Sequence, residues 1–199
     1  MKSVSFLVGF VALVIYISSC KSSNQYAKQI KELDSLKVVL QEALVNFNTI
    51  DSAKCYQAYS EQFTYSSFIS ANLRDTVSKQ TADNLQLFYA VGKNLVNYLA
   101  MSPKWKEEGQ KSIKQLTDLS HDLKNGSVED EEVVEFLSEE KIEADKIIEE
   151  LKSNTELMRY SLESFSKSLP TAQETVKKLN GGSLPELVKP KIKAKVESD

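Results

Sequence analysis

The chain has a single histidine, His121, which lies three residues after Asp118 and directly before Asp122. On one face of a helix, an imidazole and a carboxylate at this spacing are ligands that zinc accepts. A helical bundle that holds a pair of metal ions needs Glu-x-x-His on two helices together with further glutamates, which one histidine cannot supply. We therefore interpret His121 as a polar residue near a helix C-terminus, where the helix dipole favours a cation. We predict neither a metal nor another cofactor.

Cys55 is a candidate nucleophile, but no histidine lies near it in the sequence. A lone cysteine among apolar residues at helical spacing usually packs as a small hydrophobic side chain, so we expect Cys55 to be buried. The sequence contains no glycine-rich phosphate loop, no serine–histidine–aspartate set and no Cys-x-x-Cys pair. We predict no catalytic residues and a protein that is not an enzyme.

Two surfaces have residue types that could bind a partner. Eleven acidic residues and two lysines lie between Glu129 and Glu150, where they could attract cations or a basic protein, although a solvated helix face is the interpretation that we favour. An aromatic-rich stretch could stack on sugars, but its helical spacing favours the core. Its members are Tyr56, Tyr59, Phe63, Tyr65 and Phe68.

The C-terminal segment from Lys189 to Lys195 is rich in lysine. Such a cluster could hold anionic lipid headgroups. Because acidic residues follow it, at Glu197 and Asp199, we favour a solubilising tail.

The N-terminus has the organisation of an export signal. Lys2 precedes an uncharged apolar run from Phe6 to Ile17, and small residues follow at Ser18 and Ser19. A helix needs roughly 20 apolar residues to cross the hydrocarbon core of a bilayer, so this run is too short to be a membrane span.

The sequence Ile17-Ser18-Ser19-Cys20 resembles the lipobox of bacterial lipoproteins. This resemblance implies that the Cys20 sulfur receives a diacylglyceryl group, that residues 1–19 are removed, and that the new amine of Cys20 is acylated. Residues 20–24 would then be a short tether to the membrane. The alternative is an ordinary secretory signal in which Cys20 is incidental. For the lipoprotein we expect a cell-envelope location, on the periplasmic face of an outer membrane.

The formal net charge of −3 argues against nucleic-acid binding, which needs a basic face to neutralise phosphates. The length suits one domain with a real core. With Cys20 lipidated, Cys55 would be the one remaining thiol, so the fold would have no internal disulfide.

Apolar residues recur every three or four positions, which predicts helices over residues 24–47, 51–74 and 81–101. Asp51 is the expected N-cap of the second helix. Residues 63–76 are rich in serine and aromatic residues, which weakens their helix propensity. The sequence therefore does not decide between helix and loop in this stretch. Gly92, on the inner face of the third helix, would permit a close approach between helices.

Two further helices are predicted, over residues 102–125 and 128–169. Ser102 and Pro103 form a start signal and Gly126 a stop signal, while Pro170 should end the last helix. Residues 171–179 would form a short separate helix, and residues 181–185 a linker to a disordered tail. The seam predicted for the last helix consists of Val134, Leu137, Lys141, Ala144, Ile148, Leu151, Thr155, Met158, Leu162, Phe165 and Leu169.

We therefore predict an all-α antiparallel bundle of four to five helices over residues 25–169, with a long C-terminal helix. Residues 170–199 would follow as a short helix, a linker and a flexible, disordered tail rich in lysine. The expected function is that of a lipid-anchored module without enzymatic activity that binds an envelope protein or peptidoglycan. The alternatives are a bundle that binds a small ligand or a metal, and a structural spacer in the envelope.

Overall fold

A computed structural model describes residues 25–192. This part of the chain contains four helices and no strand. They are α1 (Ala27–Asn48), α2 (Ser52–Asn72), α3 (Lys79–Asn125) and α4 (Asp130–Leu179). The predicted all-α antiparallel bundle with a long C-terminal helix is confirmed, and residues 63–72 are helical.

The chain divides into two compact units. Within the described residues, unit 1 comprises residues 25–41 and 110–146, and unit 2 comprises residues 42–109 and 147–192. The core of unit 1 is built from Leu33, Leu40, Leu116, Leu123, Val133 and Ala144. The fully buried residues of unit 2 include Phe47, Phe88, Leu95, Tyr98, Leu151, Met158 and Val176.

Side-chain contacts in unit 2 define the helix directions. Gln62 on α2 lies over Gly92 on α3, and Ser70 is hydrogen-bonded to Tyr89, so these helices are antiparallel. Helices α3 and α4 are also antiparallel. Their contacts are the hydrogen bond from Asn84 to Thr171, the stacked rings of Phe88 and Phe165, and the hydrogen bond from Asn94 to Ser161.

Pro103 does not start a helix, because α3 continues through it. Proline in a helix interior removes one hydrogen bond and costs about 3 kcal/mol. The residues on either side nevertheless pack on one buried ring: the centroid of Phe47 lies 5.6 Å from that of Tyr98 and 6.0 Å from that of Trp105. These contacts favour a continuous helix, and the prediction of two helices was wrong.

Pro170 likewise lies inside α4, so residues 171–179 continue that helix. Its ring is exposed, whereas Ser168, Ala172 and Val176 on the opposite side are fully buried. Burial of that side on both flanks of the proline offsets the lost backbone hydrogen bond, and the predicted end of the helix at Pro170 was wrong.

The predicted seam of α4 is buried in its middle and misplaced at its start. Ala144, Ile148, Leu151, Thr155 and Met158 are all buried. In unit 1, however, Val133 is 3% exposed and Val134 is 76% exposed, so the predicted inward position of Val134 was wrong. Consecutive helical residues point about 100° apart, and the core takes the first of the two valines.

Two predicted helix ends are confirmed. The Asp51 carboxylate accepts hydrogen bonds from the backbone amides of Ala53, at 2.9 Å, and Lys54, at 3.2 Å, as an N-cap does. Helix α3 ends at Asn125, and Gly126 has a φ of 65°. Glycine adopts this left-handed conformation without a steric penalty.

Residues 185–192, which the composition predicts to be disordered, lie against α2 in unit 2. The Val188 amide donates to Thr64 Oγ1 at 3.0 Å, and the Tyr56 hydroxyl donates to the carbonyl of Pro190 at 3.4 Å. A turn at Gly181 and Gly182, with φ of 62° and 94°, precedes this segment. Composition cannot reveal such partners, because they belong to a distant helix.

Gly92 accommodates a close approach, as predicted. A Cβ built at Gly92 would lie only 2.4 Å from Oε1 of Gln62, which is buried. The atoms met are the flexible end of the Gln62 side chain, but this side chain is buried and has little room to move aside. Gly92→Ala should therefore lower the free energy of unfolding by about 1 kcal/mol, because the overpacking cost of roughly 1–3 kcal/mol exceeds a gain in helix propensity of about 1 kcal/mol.

Urea unfolding of a double-mutant cycle with Gln62→Ala measures this coupling. In the Gln62→Ala background the collision is absent, so Gly92→Ala should be neutral or stabilising. A Gly92→Ala variant that is more stable than the wild type would contradict the assignment.

Candidate functional site

The predicted lipid attachment at Cys20 lies outside the described residues. The same is true of the signal segment, the tether and two lysines of the tail, at residues 1–19, 20–24, 193 and 195. Tyr26 lies in unit 1, directly before α1. Its hydroxyl donates a hydrogen bond to the Asp130 carboxylate at the start of α4. The first turns of α1 and α4 therefore lie side by side.

His121 is exposed near the end of α3, where Asn125 Nδ2 donates to its Nε2 at 2.7 Å. The nearby Asp118 is paired with Lys114. In the described part of the chain, no three histidine, cysteine, aspartate or glutamate side chains are grouped so that they could hold a metal ion. The position of His121 near the helix C-terminus agrees with the interpretation that we favoured.

Cys55 is fully buried, which confirms the prediction for its environment. Burial, and to a lesser extent the negative charge of Asp51, raises the pKa of the thiol to about 11. The thiolate is the nucleophilic form of cysteine, so Cys55 is a packing residue in this environment.

The aromatic stretch of α2 is divided between core and surface. Tyr65 is buried, Tyr56, Tyr59 and Phe68 are half-buried, and Phe63 is exposed. The rings of Tyr59 and Phe63 are tilted at 52° with centroids 6.1 Å apart. Only Tyr65 is therefore a full core residue, and no flat pair of exposed rings is available in this stretch for stacking on a sugar.

Unit 2 has a groove of about 360 Å³ beside this stretch, between α2 and α4. Ala58, Leu162 and Phe165 contribute apolar surface, and Lys54 and Glu61 contribute charges of opposite sign. The groove lacks a dominant charge that would select a ligand.

A second groove of about 360 Å³ lies in unit 1, between α1 and the start of α4. The acidic side chains of this part of α4 are mostly exposed, as predicted for a solvated face. Two apolar residues of this part of α4 are strongly exposed: Val134, which was predicted to face inward, is 76% exposed, and Ile142, which lies outside the predicted seam, is 69% exposed. The groove is lined by Glu32, Val134, Leu137, Ser138, Lys141, Ile142 and Asp145.

One ion pair crosses this groove, between Lys141 Nζ and the Glu32 carboxylate. The hydrogen bond and charge of Lys141 lower the pKa of Glu32, and the same pair raises the pKa of Lys141. Both residues are solvated, and water and salt screen exposed pairs of this kind, so the pair contributes little to the stability of the fold. Lys141, which interrupts the predicted seam, is thus a surface residue with a partner on α1.

Glu140 and Gln115 form an incompletely satisfied pair in unit 1. Gln115 Nε2 donates to Glu140 Oε1 at 3.2 Å, whereas the buried atoms Gln115 Oε1 and Glu140 Oε2 have no hydrogen-bond partner among the described residues. Burial, followed by the charge of Glu143, raises the pKa of Glu140. A proton on Oε2 would supply the missing donor. These residues are 25 positions apart, and nothing in the sequence marks them as partners.

The raised pKa defines a pH dependence. Folding favours the protonated carboxyl of Glu140, so its contribution to stability is complete below the ordinary pKa of 4.5 and is lost as the pH rises through the folded pKa. Glu140→Gln replaces the missing proton with an amide donor. The variant should be more stable than the wild type at pH 7 by about 1 kcal/mol, the low end for a buried unsatisfied group because the side chain is partly exposed.

Thermal unfolding tests this prediction, with an expected rise in Tm of about 2–4 °C at pH 7. The difference should shrink at pH 4, where the wild-type carboxyl is also protonated. The control is Glu149→Gln, since Glu149 is exposed and its charge is not among those that raise the pKa of Glu140, and it should change little at either pH. An equal difference at both values of pH, or a less stable Glu140→Gln variant, would refute the assignment.

Comparison with protein-family models, with curated proteins and with solved structures finds no match to this chain. Across residues 25–192, none of the helices combines the length and the apolarity needed to cross a bilayer.

Proposed function

We propose that the protein is a lipoprotein of a bacterial cell envelope, anchored through lipid on Cys20, and that its helical body binds another envelope protein without catalysing a reaction. The sequence Ile17-Ser18-Ser19-Cys20, which begins with the last residue of an apolar run, is the observation that carries this proposal. The proposed location is the periplasmic face of an outer membrane.

The length of the tether supports a body held close to its membrane. Helix α1 begins at Ala27, and the seven residues before it, from Cys20 to Tyr26, span at most about 24 Å at roughly 3.4 Å each. Two or more acyl chains on one cysteine give stable anchoring. A body on such a tether meets partners in the layer directly next to the headgroups.

The exposed apolar side chains of unit 1 support the binding role. Singly exposed hydrophobic residues are common on protein surfaces, whereas grouped ones mark interaction sites. Val134 and Ile142 line one groove together with Leu137. This grouping favours a binding module over a spacer.

Labelling with an alkyne-tagged palmitate in growing bacteria tests the anchor. The wild-type chain should incorporate the label and remain with the membranes, whereas Cys20→Ser should lose both properties because the acyl chains need the thiol. Cys55→Ser is the matched control and should still be labelled. A Cys20→Ser variant that keeps the label would show that the lipid is not on this residue.

Chemical crosslinking in intact cells, followed by mass spectrometry, tests the binding role. We expect one specific envelope protein to be enriched with the wild-type chain, and to be lost when Cys20→Ser moves the body away from the membrane. Enrichment of peptidoglycan fragments would favour the cell wall as the target. Absence of any macromolecular partner, with a small molecule retained in the purified protein, would overturn the proposal.

A further inference from the structure

We propose that the groove of unit 1 between α1 and the start of α4 is the docking site of this module, and that its occupant is a basic amphipathic helix of a partner protein. This inference rests on the proposed function and specifies the surface and the chemistry of the partner.

The apolar part of the site is a helix face that the fold leaves uncovered. Val134, Leu137 and Ile142 project to one side of α4 and line the same groove. The valine next in sequence, Val133, is buried in the core of unit 1. Val134 is consequently held on the surface by the packing of its neighbour.

The acidic residues of the site extend from the groove along one stripe of α4, which forms its acidic edge. Asp145 and Glu32 line the groove itself, where Glu32 neutralises Lys141, and Glu131 and Glu135 lie beside it on the same helix. Glu131, Glu135, Ser138, Ile142 and Asp145 are separated by four, three, four and three residues, the spacing of one stripe on a helix. Their acidic side chains are exposed. No salt bridge within residues 25–192 involves Glu131 or Glu135.

Charge and shape together select the occupant. A second copy of this face would bring two acidic edges together, and anionic headgroups would be repelled in the same way. An amphipathic helix buries an apolar stripe in a hydrophobic groove, and lysine or arginine beside that stripe would meet the acidic edge. A basic amphipathic helix therefore matches both properties of the site.

A photo-crosslinking amino acid at Val134 or Ile142 tests the surface in the full-length, membrane-anchored chain. Val45, which is 66% exposed in unit 2, and Tyr160 serve as control positions. Positions 134 and 142, but not 45 and 160, should capture one protein. Its crosslinked peptide should lie in a segment with apolar residues every three or four positions and an excess of lysine and arginine.

The contribution of the acidic edge is measured by combining Glu131→Gln with Glu135→Gln. Capture at position 142 should fall about three- to fivefold, since each pair at the edge of an interface contributes modestly. The matched control combines Glu42→Gln with Glu156→Gln, at exposed residues of unit 2, and should leave capture unchanged.

A defined probe tests the same chemistry with purified protein. A fluorescent 14-residue helix of leucine and lysine should bind the lipidated chain in phosphatidylcholine nanodiscs more tightly than it binds empty discs. Ile142→Ser should weaken that binding about tenfold, the effect of losing one buried aliphatic side chain, whereas Val45→Ser should not. A peptide with the same leucine pattern and glutamate in place of lysine should not bind.

Several results would overturn the docking site and leave the proposed function intact. The first is that a partner protein is captured at positions 45 or 160 alone. The second is that position 134 or 142 captures lipid, a second copy of this chain or an acidic segment. The third is that Ile142→Ser does not affect binding of the leucine–lysine peptide. If no position captures a protein and the leucine–lysine peptide does not bind, the docking site and the binding role both fail. The Cys20→Ser labelling result reports separately on the anchor.

Discussion

The packing of the Phe47 ring between Tyr98 and Trp105 is the interaction on which the continuity of α3 depends. Pro103 lies between those two aromatic residues in the sequence and has no backbone N–H to donate within α3. A proline at such a place ordinarily ends or kinks a helix. Contacts on both sides of the proline hold the two stretches in one helix. All three rings belong to unit 2, so it is the core of this unit that holds the helix together at the proline.

In helix α4, the burial of one residue in the core leaves the next residue exposed on the surface. Two adjacent valines compete for one inward position, and the burial of Val133 leaves Val134 in solvent. The acidic residues around this face are exposed, and their charges would oppose the approach of a second copy of the same face. An apolar groove with an acidic edge can therefore remain available to a partner of opposite charge, without the self-association that an uncharged apolar patch invites.

Local rules predicted the helical class, the Asp51 cap, the Gly126 stop and the burial of Cys55, because each depends on neighbours in the sequence. The same rules failed where distant packing outweighs local preference, as at Pro103. The exposed groove was not predictable, since two adjacent valines fit a helical period equally well and only the neighbouring helices select between them. The Glu140–Gln115 pair depends on a tertiary contact, and Cys20 lies outside the described residues, where its assignment remains a prediction.

The burial of Cys55 has a practical consequence for spectroscopy. It is the only cysteine among residues 25–192, and its complete burial, together with its raised pKa, disfavours reaction with thiol reagents at neutral pH. In a chain whose Cys20 is lipidated or replaced, a cysteine introduced on the surface would therefore take a spin label or a fluorophore selectively, with Cys55 left in place. Pairs of such labels could report distances within either unit while every native packing residue stays in place.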